Sequence, residues 1–248
     1  AAYLKAAAVL EKMFAKYPDH PGVAHYLIHS YDAPPIAAKG LPAARKYSGI
    51  APDAPHALHM PSHVFTRVGA WADSVTGNRR SADVAKKDGN GNEAYHAADY
   101  MVYASLQLGR DKAAREVLAE FDREVKTNPA IFVGPYAVAT IPARIALERG
   151  DWAAAARLAP QGSQFPFVEA ITSFSRALGA ARQGDVVAAE QEALRLEAQH
   201  KALLEAKNNY WATEVETQRV ATAAWIAKAK GQPDEALRLM RAAADMED

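Results

Sequence analysis

The sequence predicts an all-α protein made of stacked helix–turn–helix units, and three observations carry that prediction. Glycines recur as Gly69, Gly109, Gly150, Gly184 and Gly231, each closing one apolar segment just before the next. A glycine there supplies the left-handed conformation that ends a helix tightly. Five residues beyond each lies a small side chain, namely Ser74, Ala114, Ala155, Ala189 and Ala236, which lets two antiparallel helices approach closely. Finally, one arrangement of histidines occurs twice, 34 residues apart: His25 and His29, then His59 and His63. Pro18 and Pro52 keep the same offset, so the repeat is not confined to the histidines.

Taken in order, residues 2–17 place Ala6, Leu10 and Met13 on one helical face and stop at Pro18. Pro21 to Tyr31 carries the first histidine pair and is closed by Asp32-Ala33-Pro34-Pro35. A helix through Ala43, Ala44 and Tyr47 reaches Ile50 before Pro52. Pro61, inside the second histidine segment, and Pro142, at the same repeat position further on, each remove a backbone donor. Such a residue bends the array or widens a groove in it. Gly89-Asn90-Gly91-Asn92 reads as a flexible connector, either a plain loop or a lid. Trp71 and Trp152 follow turn glycines and are expected to pack between helices, whereas Glu190, Glu192, Arg195 and Glu197 read as a solvated face. The turn glycines are 40, 41, 34 and 47 residues apart, which gives about six units with insertions. The first helix has the character of the second half of a repeat, and the first residue is Ala1, so a fragment of a longer chain is expected.

Composition narrows the function. With 248 residues, half of them hydrophobic and 8% aromatic, the chain can bury a substantial core and suits close helix packing. Lys+Arg and Asp+Glu both number 29, which leaves no excess positive charge to favour a nucleic acid or an anionic membrane. No apolar run approaches the ~20 residues of a membrane span, so a soluble protein of the periplasm or cytoplasm is expected. Cysteine is absent, and any metal must therefore be held by nitrogen and oxygen ligands.

The Gly-x-aromatic-or-Asp turns, the small residue five places on and Pro52 at a repeat end resemble the tetratricopeptide-repeat family, whose period is 34 residues. That resemblance covers nearly the whole chain. It implies a right-handed superhelix over residues 1–248, a single solenoid with a histidine-rich part at 21–110, and a concave groove that takes a peptide or protein segment. Asn78 departs from the pattern, standing where a large apolar residue is usual. In the family register His25 and His59 take position 5, and His29 and His63 take position 9, both of which line the groove. His56 and His96 fall at position 2; Asp99 and Tyr103, then Thr140 and Arg144, follow at positions 5 and 9 of the next two units. Chaperone-tail recognition in this family uses Lys and Asn at positions 5 and 9, which are histidines here. Residues 21–69 also resemble stretches of bacterial tetratricopeptide-like proteins, a likeness that implies no function.

Two residues spaced i, i+4 leave the same helix face one turn apart, and paired histidines on neighbouring helices are how helical arrays build metal sites. The expected ligands are His25, His29, His59 and His63, with His56, His96 or Asp99 as an additional ligand or base. Zinc, copper, iron or nickel would each accept this set. Asp32, three residues after His29, can orient that ring. Position 60 is Met, which excludes the His-Glu-x-x-His protease motif. Tyr103, Thr140 and Arg144 are expected to line the groove, Arg144 as a two-pronged partner for a carboxylate or phosphate. Three functions remain open: a metal-free binding module, a closed four-histidine metal site, and a metalloenzyme in which three imidazoles leave a position for water.

Overall fold

In the computed structural model, which describes residues 2–247, the described residues contain no strand and are mostly helical. It divides into two compact units, one up to Asn128 and one from Pro129. The first contains α1 (Ala2–Lys16), α2 (Pro21–Tyr31), a short 3-10 turn (Ala37–Gly40), α3 (Leu41–Ile50), α4 (Pro55–His59), α5 (Pro61–Arg67), α6 (Trp71–Lys87), α7 (Gly91–Gln107) and α8 (Asp111–Glu124). Consecutive helices pack as hairpins, α1 on α2, α6 on α7 and α7 on α8. Leu27, Ile28 and Tyr31 of α2, Ala44 and Tyr47 of α3, and Met60, Val64 and Phe65 form one apolar cluster beneath the histidines.

The second unit contains α9 (Val133–Glu148), α10 (Trp152–Ala156), α11 (Pro166–Arg182), α12 (Val186–Glu205), α13 (Asn209–Ala229) and α14 (Pro233–Asp245). Its interior joins Val168, Leu196, Leu203 and Val215 to an aromatic group in which Phe167 and Trp211 stack at 4.1 Å and nearly parallel. Phe132 meets both rings edge-on.

The Gly-Asp dipeptides join consecutive helices by two linked devices. At Gly150-Asp151 the glycine adopts a positive φ and ends α9, while the Asp151 carboxylate accepts the Ala154 N–H at the start of α10. Gly184-Asp185 repeats this, with the Asp185 carboxylate accepting from Ala188. The small residues five places beyond the turns are buried at every hairpin. Pro142 lies within an unbroken α9, whereas the helix divides around Pro61.

Two expectations are corrected. Gly91 and Asn92 are not a flexible connector but the first turn of α7, capped by the Asn90 side chain. The Asn92 side-chain amide oxygen accepts the Asn128 N–H at 2.8 Å, and a Cβ on Gly91 would collide with the Lys126 backbone carbonyl. Glu192 does not face solvent; its carboxylate is buried and accepts from Arg176 at 2.8 Å. Trp71 and Trp152 pack against neighbours as expected, on Tyr103 and on the Arg182 guanidinium.

Candidate metal centre

The helix that carries His59 and His63 is interrupted in its hydrogen bonds but not in its course. Pro61 has no N–H to offer, so α4 ends and α5 begins around Met60, which keeps helical dihedral angles (φ −50°, ψ −38°) and is fully buried. The two histidines therefore still share a face, and their Nε2 atoms approach to 3.1 Å. His96 comes from α7, its ring centroid 4.3 Å from that of His59. One ligand atom from each of His59, His63 and His96 lies within 4.8 Å of the others, the single such group among the described residues.

The polar partners of these rings fix where their protons sit. Asn78, on α6, points its amide nitrogen at the Ser74 carbonyl, 2.8 Å away, and at Ser62 Oγ. A carbonyl only accepts, so the amide oxygen must be the atom that faces His59 Nδ1 at 2.8 Å. His59 Nδ1 is thus the donor, and its Nε2 carries a lone pair. His63 Nδ1 donates in the same way to Asp32 at 2.9 Å, and the other Asp32 oxygen accepts from Arg67 at 3.0 Å. Burial works to raise the Asp32 carboxyl, but the hydrogen bonds and charges of His63 and Arg67 outweigh it and hold it below its ordinary range. With both rings neutral, the two imidazoles face one another acceptor to acceptor. Only a proton or another cation between them relieves that contact.

Burial decides against the proton on the His59 side. His59 has no exposed surface, and desolvation, reinforced by His96 and His63, pushes its pKa well below the usual 6.5. His96 is lowered to about 4, again chiefly by burial and despite the opposing charge of Asp99. Neutral imidazole is the form that ligates metals. Two nitrogens held about 2.0–2.1 Å from one ion at a tetrahedral angle lie about 3.3 Å apart, close to the 3.1 Å separation here.

Of the four expected ligands, His59 and His63 belong to this group, while His25 and His29 lie beside it. The His25 ring is 4.7 Å from His29 and 5.3 Å from His56, and His29 is 6.1 Å from His63. Asp32, expected to orient His29, instead bonds His63 on α5. Asp99 is buried and acts on His96 through its charge. Tyr103 packs on Trp71; Thr140, in the second unit, folds its hydroxyl back onto the Tyr136 carbonyl of its own helix; Arg144 lies in that second unit too. The two remaining histidines have other work. His20 caps α2 through the Val23 N–H, and His200 pairs with Glu216 at 3.4 Å.

Sequence reasoning missed Asn78 as a partner and Tyr100 altogether. The Tyr100 ring stands 4.6, 5.4 and 5.5 Å from His59, His63 and His96, one turn beyond His96 in the same i, i+4 spacing that marked the histidine pairs. Asn78 was visible as a polar residue in an apolar slot. No family model matches the chain, and a search of curated proteins finds no match. No helix among the described residues is long and apolar enough to cross a membrane.

Proposed function

We propose that this protein is a binding scaffold of tetratricopeptide-like hairpins whose first unit holds one divalent transition-metal ion on His59, His63 and His96. The observation that carries the reading is the Nε2-to-Nε2 contact at 3.1 Å between two rings whose other nitrogens already donate to Asn78 and Asp32. Outer partners of this kind, a carboxylate or amide on the far nitrogen, are how proteins aim imidazoles at metals. The ion is zinc, copper, iron or nickel, all of which accept imidazole in the absence of thiolate. Support for the hairpin assignment comes from the positive φ at each turn glycine and the buried small residue that follows it.

A second reading, activation of a metal-bound water, is favoured by the ligand count. Three imidazoles leave a coordination position free, where a closed structural site takes four ligands. His25, His29 and His56 are the imidazoles nearest the three ligands, with His29 6.1 Å from His63 and His56 6.2 Å from His59.

Elemental analysis of protein purified without an affinity tag tests the proposal, followed by thermal unfolding with each divalent ion in turn. One equivalent of one ion per chain is expected. At a hundredfold excess over its dissociation constant it adds about 2.7 kcal/mol of stability. Absence of both uptake and stabilisation would reject the centre.

A further inference from the structure

His59 has no exposed surface while His63 and His96 are half-buried, and further imidazoles of graded exposure stand beside them. His29 and His56 are exposed, His25 is half-buried, and His59 is fully enclosed. Their rings form a closed circuit. From His25 one arm runs through His29 to His63, with centroid steps of 4.7 and 6.1 Å. The other runs through His56 to His59, with steps of 5.3 and 6.2 Å. The arms meet where His59 and His63 touch. At the outer end of the second arm, Glu93 Oε2 stands 3.9 Å from His56 Nδ1. That oxygen is buried and has no hydrogen-bond partner among the described residues, so it is an oxygen donor beside the first exposed imidazole.

We propose that His25, His29 and His56 are an exchangeable outer station that receives a divalent cation and passes it, by two parallel arms, to His59, His63 and His96. The inference rests on the inner centre proposed above. Each step replaces one neutral donor with another, water by imidazole at the rim and imidazole by imidazole further in, so no bond to carbon changes and no electron is transferred. The outer three do not themselves form a compact ligand group, since the close set is the inner one. They hold the ion weakly, as a relay requires. Because the circuit has two arms, loss of one leaves the other open.

The experiment measures cobalt(II) or zinc(II) loading of the full chain by stopped flow, and affinity by competition with a chromophoric chelator. His29→Ala and His56→Ala, each at an exposed position, are expected to slow loading less than about threefold, because the second arm remains. The double variant His29→Ala/His56→Ala is expected to slow both loading and release by about tenfold or more, with the dissociation constant unchanged within about threefold. A double variant that loads at the parent rate overturns the relay and leaves the inner centre standing. One whose affinity falls while its loading rate is kept also overturns it, for these histidines are then ligands of the bound state. A parent that takes up neither ion overturns the inner centre and the relay together.

Discussion

The aromatic interior of the second unit and the histidine centre of the first are built from the same hairpins, yet they use buried space in opposite ways. Around Phe167 and Trp211 the helices meet through stacked and edge-on rings and through Leu196, Leu203 and Val215, contacts that stabilise without specifying any chemistry. Around His59 the equivalent space holds Asn78, Ser62, Ser74 and Ser81, all fully buried. Buried polar groups are tolerated only when bonded, and here the Asn78 amide commits its oxygen and its nitrogen alike. What is left over is a pair of facing lone pairs. The difference teaches that the first unit gives up packing energy for a preorganised opening of fixed polarity, which is how functional sites depart from the local rules of a fold.

The comparison breaks most sharply under single substitutions. His59→Ala is expected to abolish stoichiometric metal uptake while circular dichroism stays helical; elemental analysis and the far-ultraviolet spectrum check both halves. Metal content equal to the parent's would remove His59 from the centre. Phe167→Ala should do the reverse. Truncating a buried aromatic costs about 3–5 kcal/mol, read as a fall in the unfolding free energy in urea, and metal content should be untouched because Phe167 belongs to the other unit.

How much of this contrast was legible in the sequence follows from what each element depends on. The hairpins were readable because their signals are local: a glycine for the left-handed turn and a small residue at the crossing. His59 and His63 were readable because i, i+4 spacing survives the break at Pro61, Met60 keeping its helical angles. The third ligand was readable only as one of three candidates, His56, His96 and Asp99, and the choice of His96 comes from the packing of α7 beside α4. Asp32 was assigned to its own helix, since local spacing favours His29, but the carboxylate crosses to His63 on α5. Glu192 looked solvated for the same reason: its burial comes from Arg176 of the neighbouring α11.

Acid should distinguish the two regions next. In the metal-free protein the folded pKa of His96 is about 4, lowered first by burial, against about 6.5 when unfolded. Between those values the unfolded chain binds a proton that the folded one refuses, so stability falls as pH drops from about 6.5 to about 4. It is flat in this group above that window and below it. His96 alone contributes roughly 3 kcal/mol at most across the range. His25, also lowered to about 4 by burial and by the neighbouring histidines, adds a smaller amount because solvent screens it. The Asp32 carboxyl, held below its ordinary value, begins to matter only at lower pH. Hydrogen exchange read by mass spectrometry should therefore show α4, α5 and α7 losing protection between pH 6.5 and 4.5 before α11 to α13 do. Equal loss in both units would show that the first is not selectively strained by its histidines.

The smallest effect isolates the tautomer argument. Asn78→Ala removes the acceptor that keeps the His59 proton on Nδ1. The proton is then free to move to Nε2, where it faces His63 Nε2 at 3.1 Å and makes the hydrogen bond that the parent forbids. The metal-free form gains a bond in the very place the ion would occupy, and metal affinity should fall by about 10–100-fold, the usual consequence of losing an outer partner. A purely structural asparagine predicts another pattern, a loss of stability with affinity unchanged. The matching control lies in the second unit, where Gln199 donates to Ser173 at 3.1 Å; Gln199→Ala deletes a comparable polar contact with no ligand attached, and affinity should not move. Nitrogen-15 shifts of the His59 ring decide between the accounts. Protonation at Nδ1 in the parent and at Nε2 in Asn78→Ala is the expected change, and a ring that keeps the same tautomer in both proteins would mean that Asn78 does not set it.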